Sequence, residues 1–454
     1  MKNIFMRYLK ATYPGKSTVI DLVAKWVTSI LQKSGDSPDQ PYVLKTAFTG
    51  TAASNIGGGT LTSTFGFSFG NQHQGMKDRE RDAKKQELRQ LALLIIDEIS
   101  FVKADMLYML NLKLQEIKES KKPFGGVAIF AFGDIFQLCP VAGNPVFARP
   151  ANPAYHLTYR LQNLWNLLTV VNLNINHRQG ASLEFAELLN RARVLKKGEM
   201  TKQDIQTWES RVRPKGHPDL EQASINIVCT NKLKASMNML YHVKLPGDEI
   251  KVVAVTWMAT KKSYTPAPRP DGTIEKTGFM KDLRLKLGAK VMMIKNVRTA
   301  DSLTNGQLGV LTGVLKDNEG GVLALMIKFN KEDAGKLTRR ENPQLEERFP
   351  GATKVEKVQV TFSLANNSAA KANLIQFPTV LADTVTVHKM QGGQVHMPST
   401  ANIDAKSFKD GGQGFVAFSR VQELSQLFII DKFDPDKVYA DPRALLEIQR
   451  MNAR

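Results

Sequence analysis

The chain has 454 residues, 42% of them hydrophobic, and a formal net charge of +19. That length allows two to four domains with a large core, and no apolar run reaches membrane-spanning length, which sets aside a transmembrane helix. The charge predicts a polyanionic partner, nucleic acid before membrane because no basic amphipathic anchor is evident, with a merely solubilising surface as the plain alternative.

Residues 4–9 read as a strand feeding the turn Gly15-Lys16-Ser17-Thr18. A helical pattern follows through Val19, Leu22, Val23, Trp26, Val27, Ile30 and Leu31. This is the tail of a phosphate-binding loop. The lysine reaches the β- and γ-phosphates, the serine hydroxyl ligates magnesium, and the helix N-terminus favours anions. By itself Gly-Lys-Ser is usually a chance turn. The loop is also irregular: a full motif has glycine five positions before Gly15, where Lys10 stands. Ala11, Thr12, Tyr13 and Pro14 lie between, and Pro14 has no N–H to offer a phosphate.

Residues 42–48 form the next expected strand, running into Thr49-Gly50-Thr51-Ala52-Ala53-Ser54-Asn55. Small hydroxyl residues and glycines there can approach a sugar-phosphate chain, or simply make a strand-to-helix turn. Residues 72–90 are highly charged and read as a solvated helix or excursion. Leu93-Leu94-Ile95-Ile96 then runs straight into Asp97-Glu98. An unbroken apolar run fits a strand buried on both faces of a parallel sheet. Carboxylates at its C-terminal end sit where open α/β sheets bind ligands. There Asp97 can hold magnesium, and Glu98 can orient and deprotonate a water. The bare alternative is a core strand with solvated acids, and the upstream Gly-Lys-Ser tips the balance toward a nucleotide triphosphatase.

An amphipathic helix is expected over 103–118 and a second buried strand over 126–134, followed by Gln137, placed either to sense a γ-phosphate or to cap a loop. A strand over 170–175 leads to His177-Arg178-Gln179 and a helix over 182–195. Residues 225–229 and a helix through Met239 repeat the strand–turn–helix theme. Five short strands are expected between 251 and 371: 252–257, 289–294, 309–315, 322–329 and 358–364. Residues 331–357 read as a charged surface excursion. The α/β pattern returns at 380–393, and the run 414–421 carries Arg420, taken to lie after a strand on the second α/β unit. A strand over 427–430 precedes a basic helix. Cys139 and Cys229 lack metal-ligand spacing and read as reduced thiols of an intracellular protein. No clear signal peptide opens the chain.

Taken together, these stretches resemble the Pif-one (petite integration frequency) family of superfamily 1B DNA helicases, especially the helicase domains of Helitron-type transposable elements. Seven stretches carry the likeness in family order: 46–55, 93–98, 132–141, 173–179, 287–296 with 305–310, 385–393 and 415–421. The resemblance implies an α/β fold of two RecA-like domains with parallel sheets and a small barrel-like insertion in the second. The segments would be 1–155, 156–250, 251–371 and 372–454. It also implies ATP-driven 5'-to-3' movement on single-stranded DNA with duplex unwinding, by a monomer, in repair, recombination, telomere maintenance or transposon replication. The compartment would be nuclear or mitochondrial in a eukaryote.

Carried over by motif, ATP and Mg2+ are held by Gly15, Lys16, Ser17, Thr18, Gln391 and Gly392, with Ser17 and Asp97 on the metal. Lys16, Glu98, Gln137, Arg178 and Arg420 are the implied catalytic set. Thr49, Gly50, Phe65, His388 and Lys389 line the DNA path. The loop lacks its glycines, and Thr62 stands where the family has histidine. The competing class is therefore a single-stranded nucleic-acid-binding protein that keeps this fold but hydrolyses ATP poorly.

Overall fold

The computed structural model describes residues 6–10, 16–37, 39–67, 76, 78–140, 143–173, 182–258, 266–269, 271–275, 277–363, 371–391, 393–395 and 397–453. They form two compact units. The first comprises Met1–Val212, Gln394–Met397 and Phe408–Arg454, the second Arg213–Gly393 and Pro398–Ser407.

The first unit begins β1 (Met6–Lys10), α1 (Lys16–Leu31), β2 (Val43–Ala47), α2 (Gly50–Asn55), β3 (Gly59–Thr60), α3 (Leu61–Phe65), α4 (Asp78–Glu87) and β4 (Leu93–Asp97). It continues α5 (Ala104–Ile117), β5 (Ala128–Gly133), α6 (His156–Leu161), β6 (Thr169–Asn172), α7 (Leu183–Val194) and α8 (Lys202–Glu209), and the short β7 (Val212–Arg213) straddles its boundary in sequence with the second unit. Its sheet has the order β3-β2-β4-β5-β1-β6 with parallel pairing throughout. The four apolar residues of β4 serve two cores because strand side chains alternate faces. Leu94 and Ile96 join Leu107, Leu110 and Leu114 of α5 in one cluster. Leu93 and Ile95 join Ile20 of α1 and Ala52 and Ala53 of α2 in the other. No hydrophilic position is tolerated until the strand ends, and there the acids stand.

The second unit opens with α9 (Pro218–Glu221), β8 (Ile225–Val228) and α10 (Asn231–Lys244). The region expected to hold five strands contains β9 (Ile250–Val253), β10 (Val255–Met258), β11 (Asp282–Leu285), β12 (Lys290–Met293), β13 (Leu308–Lys316) and β14 (Val322–Phe329). These are followed by α11 (Lys336–Glu341), β15 (Thr353–Glu356), β16 (Val358–Ser363) and β17 (Lys371–Gln376). The single strand expected over 252–257 is two: β9 pairs with β11 and β10 with β17. Residues 331–357 are not a plain excursion. Asp301, 2% exposed, accepts the N–H groups of Leu337 and Thr338 at 2.7 and 2.9 Å and so caps α11, while β15 pairs antiparallel with β14. β18 (Thr379–Leu381) closes a five-stranded sheet of order β15-β14-β13-β12-β18. β19 (Thr384–Thr386), α12 (Val387–Met390) and β20 (Ala401–Ile403) follow, with β8 parallel to β19 and to β20.

The chain then returns to the first unit with α13 (Gln413–Phe418), β21 (Leu427–Ile430) and α14 (Pro442–Asn452). Residues 414–421 therefore hold a helix where a strand was expected. The amphipathic α14 inserts Ala444, Ile448 and Met451 into the core that contains Leu94 and Ile96, and Trp165 donates its indole N–H to Glu447 Oε1 at 2.7 Å.

Candidate functional site

Lys16 opens α1, and its ammonium lies 3.8 Å from Asp97 Oδ1 and 3.5 Å from Glu98 Oε1. Ser17 and Thr18, in the same turn, are exposed. Asp97 and Glu98 are each 6% exposed. Among the described residues these two carboxylates share one cation, Lys16, which leaves that group short of positive charge. Burial pushes the Asp97 carboxyl up to about 6. Lys16 opposes that rise, Glu98 adds to it, and the Glu98 N–H, donating to Asp97 Oδ1 at 2.9 Å, opposes it. Glu98 Oε2 is buried and accepts no hydrogen bond among the described residues. Leaving such an acceptor open is costly, so the site is built to receive a donor or a cation.

The backbone around this pair is constrained. Glu98 sits at φ 53, ψ 50, a left-handed conformation that costs a residue with a side chain on the order of 1 kcal/mol. Gly133, ending the neighbouring β5, has no room for a side chain, since a Cβ there would lie 2.9 Å from the Ile99 amide nitrogen. Glycine at the end of one strand lets the turn after the other close against it.

β5 leads through Asp134 to Gln137, which is 4% exposed. The Gln137 N–H donates to the Asp134 carbonyl at 3.0 Å, and the Phe136 N–H donates to Asp134 Oδ1 at 3.1 Å. The Asp134 carboxylate is held by Arg193 of α7, Nε to Oδ2 at 2.6 Å and Nη2 to Oδ1 at 2.8 Å. Arg193 carries no signal in the sequence, because its partner lies 59 residues away.

Arg420 lies in the first unit with Lys16. It follows a helix rather than a strand, and it is buried, 1% exposed, not a surface residue. Its guanidinium donates to the Val416 carbonyl from Nε and to Ser419 Oγ from Nη2, both at 2.7 Å. Thr49 caps α2, accepting the Ala52 N–H at 3.2 Å, and Gly50 beside it is buried. Phe65, expected along a DNA path, is a core residue, 2% exposed with its ring stacked on Phe67. In the second unit His388 and Lys389 lie on α12, Lys389 Nζ donates to Asn305 Oδ1 at 3.1 Å, and Gln391 is 4% exposed. Arg178, Gly15, Gly392 and the loop residues 11–14 lie outside the described residues. The structure thus brings Lys16, Asp97 and Glu98 together directly, and Gln137 and Arg420 into the same unit.

The family model described as PIF1-like helicase matches residues 23–203, and that described as DNA helicase Pif1, 2B domain, matches residues 273–314. The chain is thus similar to PIF1-like helicases over these two segments. Among curated PIF1 proteins, the ATP-dependent DNA helicase PIF1 of Emericella nidulans is 25% identical over 472 residues, covering 95% of this chain and 58% of that protein. The chain spans little more than half the length of the curated PIF1 relatives it matches. The crystal structure of Pif1 helicase from Candida albicans superposes with a TM-score of 0.73 at 23% identity, covering 99% of this chain and 96% of that one. A Bacteroides Pif1 helicase in complex with ADP-AlF3 and ssDNA gives 0.68 at 23%, covering 99% and 94%. The PIF1 fold of two RecA-like domains is the fold of this chain.

Proposed function

We propose that this PIF1-like chain is an ATP-dependent DNA helicase motor that moves 5'-to-3' along single-stranded DNA and unwinds duplex at junctions. The observation that carries it is the Lys16 ammonium held against the Asp97–Glu98 pair at the end of a buried parallel strand, with Glu98 Oε2 open. The curated relatives are named ATP-dependent DNA helicases, and a Bacteroides neighbour carries ADP-AlF3 and ssDNA. These favour the motor over a binding protein with impaired turnover.

Lys16 releases the carboxylates and takes up the β- and γ-phosphates of ATP, with Gly15, Thr18, Gln391 and Gly392 as further nucleotide contacts. The donor set fits magnesium, which keeps one or two carboxylates and fills its shell with phosphate oxygens and water. No group of three or more acidic, His or Cys residues is placed to cage a metal among the described residues. Asp97 and Ser17 would hold the ion, which when bound neutralises phosphate charge. Glu98 Oε2 accepts the proton of the attacking water. Gln137, Arg178 and Arg420 contact the γ-phosphate, and Thr49, Gly50, His388 and Lys389 line the DNA path. In this motor 1–155 is the first RecA-like domain, 156–250 and 372–454 make the second with 251–371 as its insertion, a division that differs from the compact units in that 156–212 and 408–454 pack with 1–155, and a monomer works inside the cell.

The test is ATP turnover with and without single-stranded DNA. Turnover should rise on adding DNA, and Glu98→Gln should abolish it while sparing ATP binding. Lys16→Ala should lose both. A Glu98→Gln protein with full turnover would remove that residue from the chemistry.

A further inference from the structure

We infer that Arg193 is a positioning residue for Gln137, acting through Asp134; this rests on the proposed ATP turnover for its catalytic consequence. The Asp134 side chain is fully buried and Arg193 is 7% exposed, and two parallel N–H···O bonds of 2.6 and 2.8 Å join them. A forked guanidinium on a carboxylate fixes orientation as well as distance. The same carboxylate accepts the Phe136 N–H, and the Asp134 carbonyl accepts the Gln137 N–H. The Arg193 guanidinium also lies over the Phe136 ring, 4.9 Å from its centroid. One arginine therefore grips both the carboxylate and the aromatic ring of the turn that carries the glutamine.

Backbone also closes against the turn. Gly412, which caps α13 at φ +85, faces it so closely that a Cβ there would lie 2.8 Å from the Phe136 carbonyl oxygen and 3.2 Å from that of Gln137. The turn is held by a guanidinium and packed closely against a glycine. A pair that served stability alone could sit anywhere in the core. This one ends on Asp134 and Phe136, two of the three residues before Gln137, and α7, which supplies Arg193, begins five residues after Arg178.

The test uses the full chain with Arg193→Lys, which keeps the charge but loses the fork, beside Gln137→Ala and the double variant. Without nucleotide, hydrogen exchange over residues 134–140 should speed up at least tenfold in Arg193→Lys, with exchange in β4 and α5 and the melting temperature close to the parent. With ATP and single-stranded DNA, Arg193→Lys should lower kcat tenfold or more with KM for ATP within about twofold. The double variant should be no slower than Gln137→Ala alone, since residues acting as one unit are non-additive. Unchanged exchange, full kcat, or losses that multiply in the double variant would each overturn the inference. A parent without ATP turnover would sink the proposed motor and this residue's catalytic consequence, while the exchange result would still decide whether Arg193 clamps the turn.

Discussion

Asp97 pays for its position in a way that titration can read. An unfolded aspartate has a pKa near 3.9, and burial raises this one to about 6 in the fold. The folded chain holds the proton more tightly, so ionising Asp97 works against folding. The penalty should grow from about pH 4 to about pH 6 and stay constant above. In magnesium-free buffer at pH 7.5, Asp97→Asn should therefore be more stable than the parent by about 1–3 kcal/mol while losing turnover. Urea denaturation would check this, and a less stable variant would mean that Lys16 fully compensates the carboxylate. Cys139 is a second case of the same kind: burial first, then the Asp441 carboxylate beside it, pushes its thiol up to about 12. It should stay protonated at pH 8 and resist alkylation in the folded chain, which intact mass spectrometry would read. Lys16, Asp97 and Glu98 were legible because a short apolar run and a Gly-Lys-Ser turn are local signals. Arg193 was not, because an ion pair across the fold leaves no trace in spacing. Phe65 misled for a related reason: an aromatic residue beside Gly66 looks the same in sequence whether it faces solvent or a core.

Among the elements, α13 shows where periodicity runs out. Gly-Phe-Val-Ala-Phe is too short to separate a buried strand from a buried helix. Every residue of α13 is buried, so the run lacks the polar face that marks an amphipathic helix. Phe418 stacks on Trp208 with ring centroids 4.3 Å apart, and Phe408 meets it edge-on at 5.8 Å. A helix packed all round reads as a strand. The second unit was legible as strand-rich but not in its register, because β9 and β10 adjoin in sequence yet serve different sheets. α14 was legible as a helix, but its destination was not. Ile448→Ala should cost about 2–4 kcal/mol, as large-to-small changes in a core do. Denaturation followed by the emission of Trp165, which touches the same helix through Glu447, would measure it. A loss under about 0.5 kcal/mol, the scale of an ordinary surface change, would mean that α14 is dispensable to that core.

For the whole molecule, the relevant quantity is charge. A formal +19 is spread over a chain whose relatives are DNA helicases, and phosphate contacts by lysine and arginine release condensed counterions. Affinity for single-stranded DNA should fall on the order of a hundredfold or more between about 50 and 200 mM salt, measured by fluorescence anisotropy. A flat salt response would count against a groove that tracks the backbone.

The return of residues 408–454 to the first unit also has a bearing on how the protein is made. Trp165 and the apolar face beneath α14 emerge early, but Ile448 and Met451 arrive roughly 280 residues later, on the order of 15–60 s at ~5–20 residues per second. For that interval during synthesis the surface lacks its α14 cover. Ribosome-bound chains stalled near residue 430 should be cleaved readily around Trp165, and chains stalled far enough downstream to free α14 should resist.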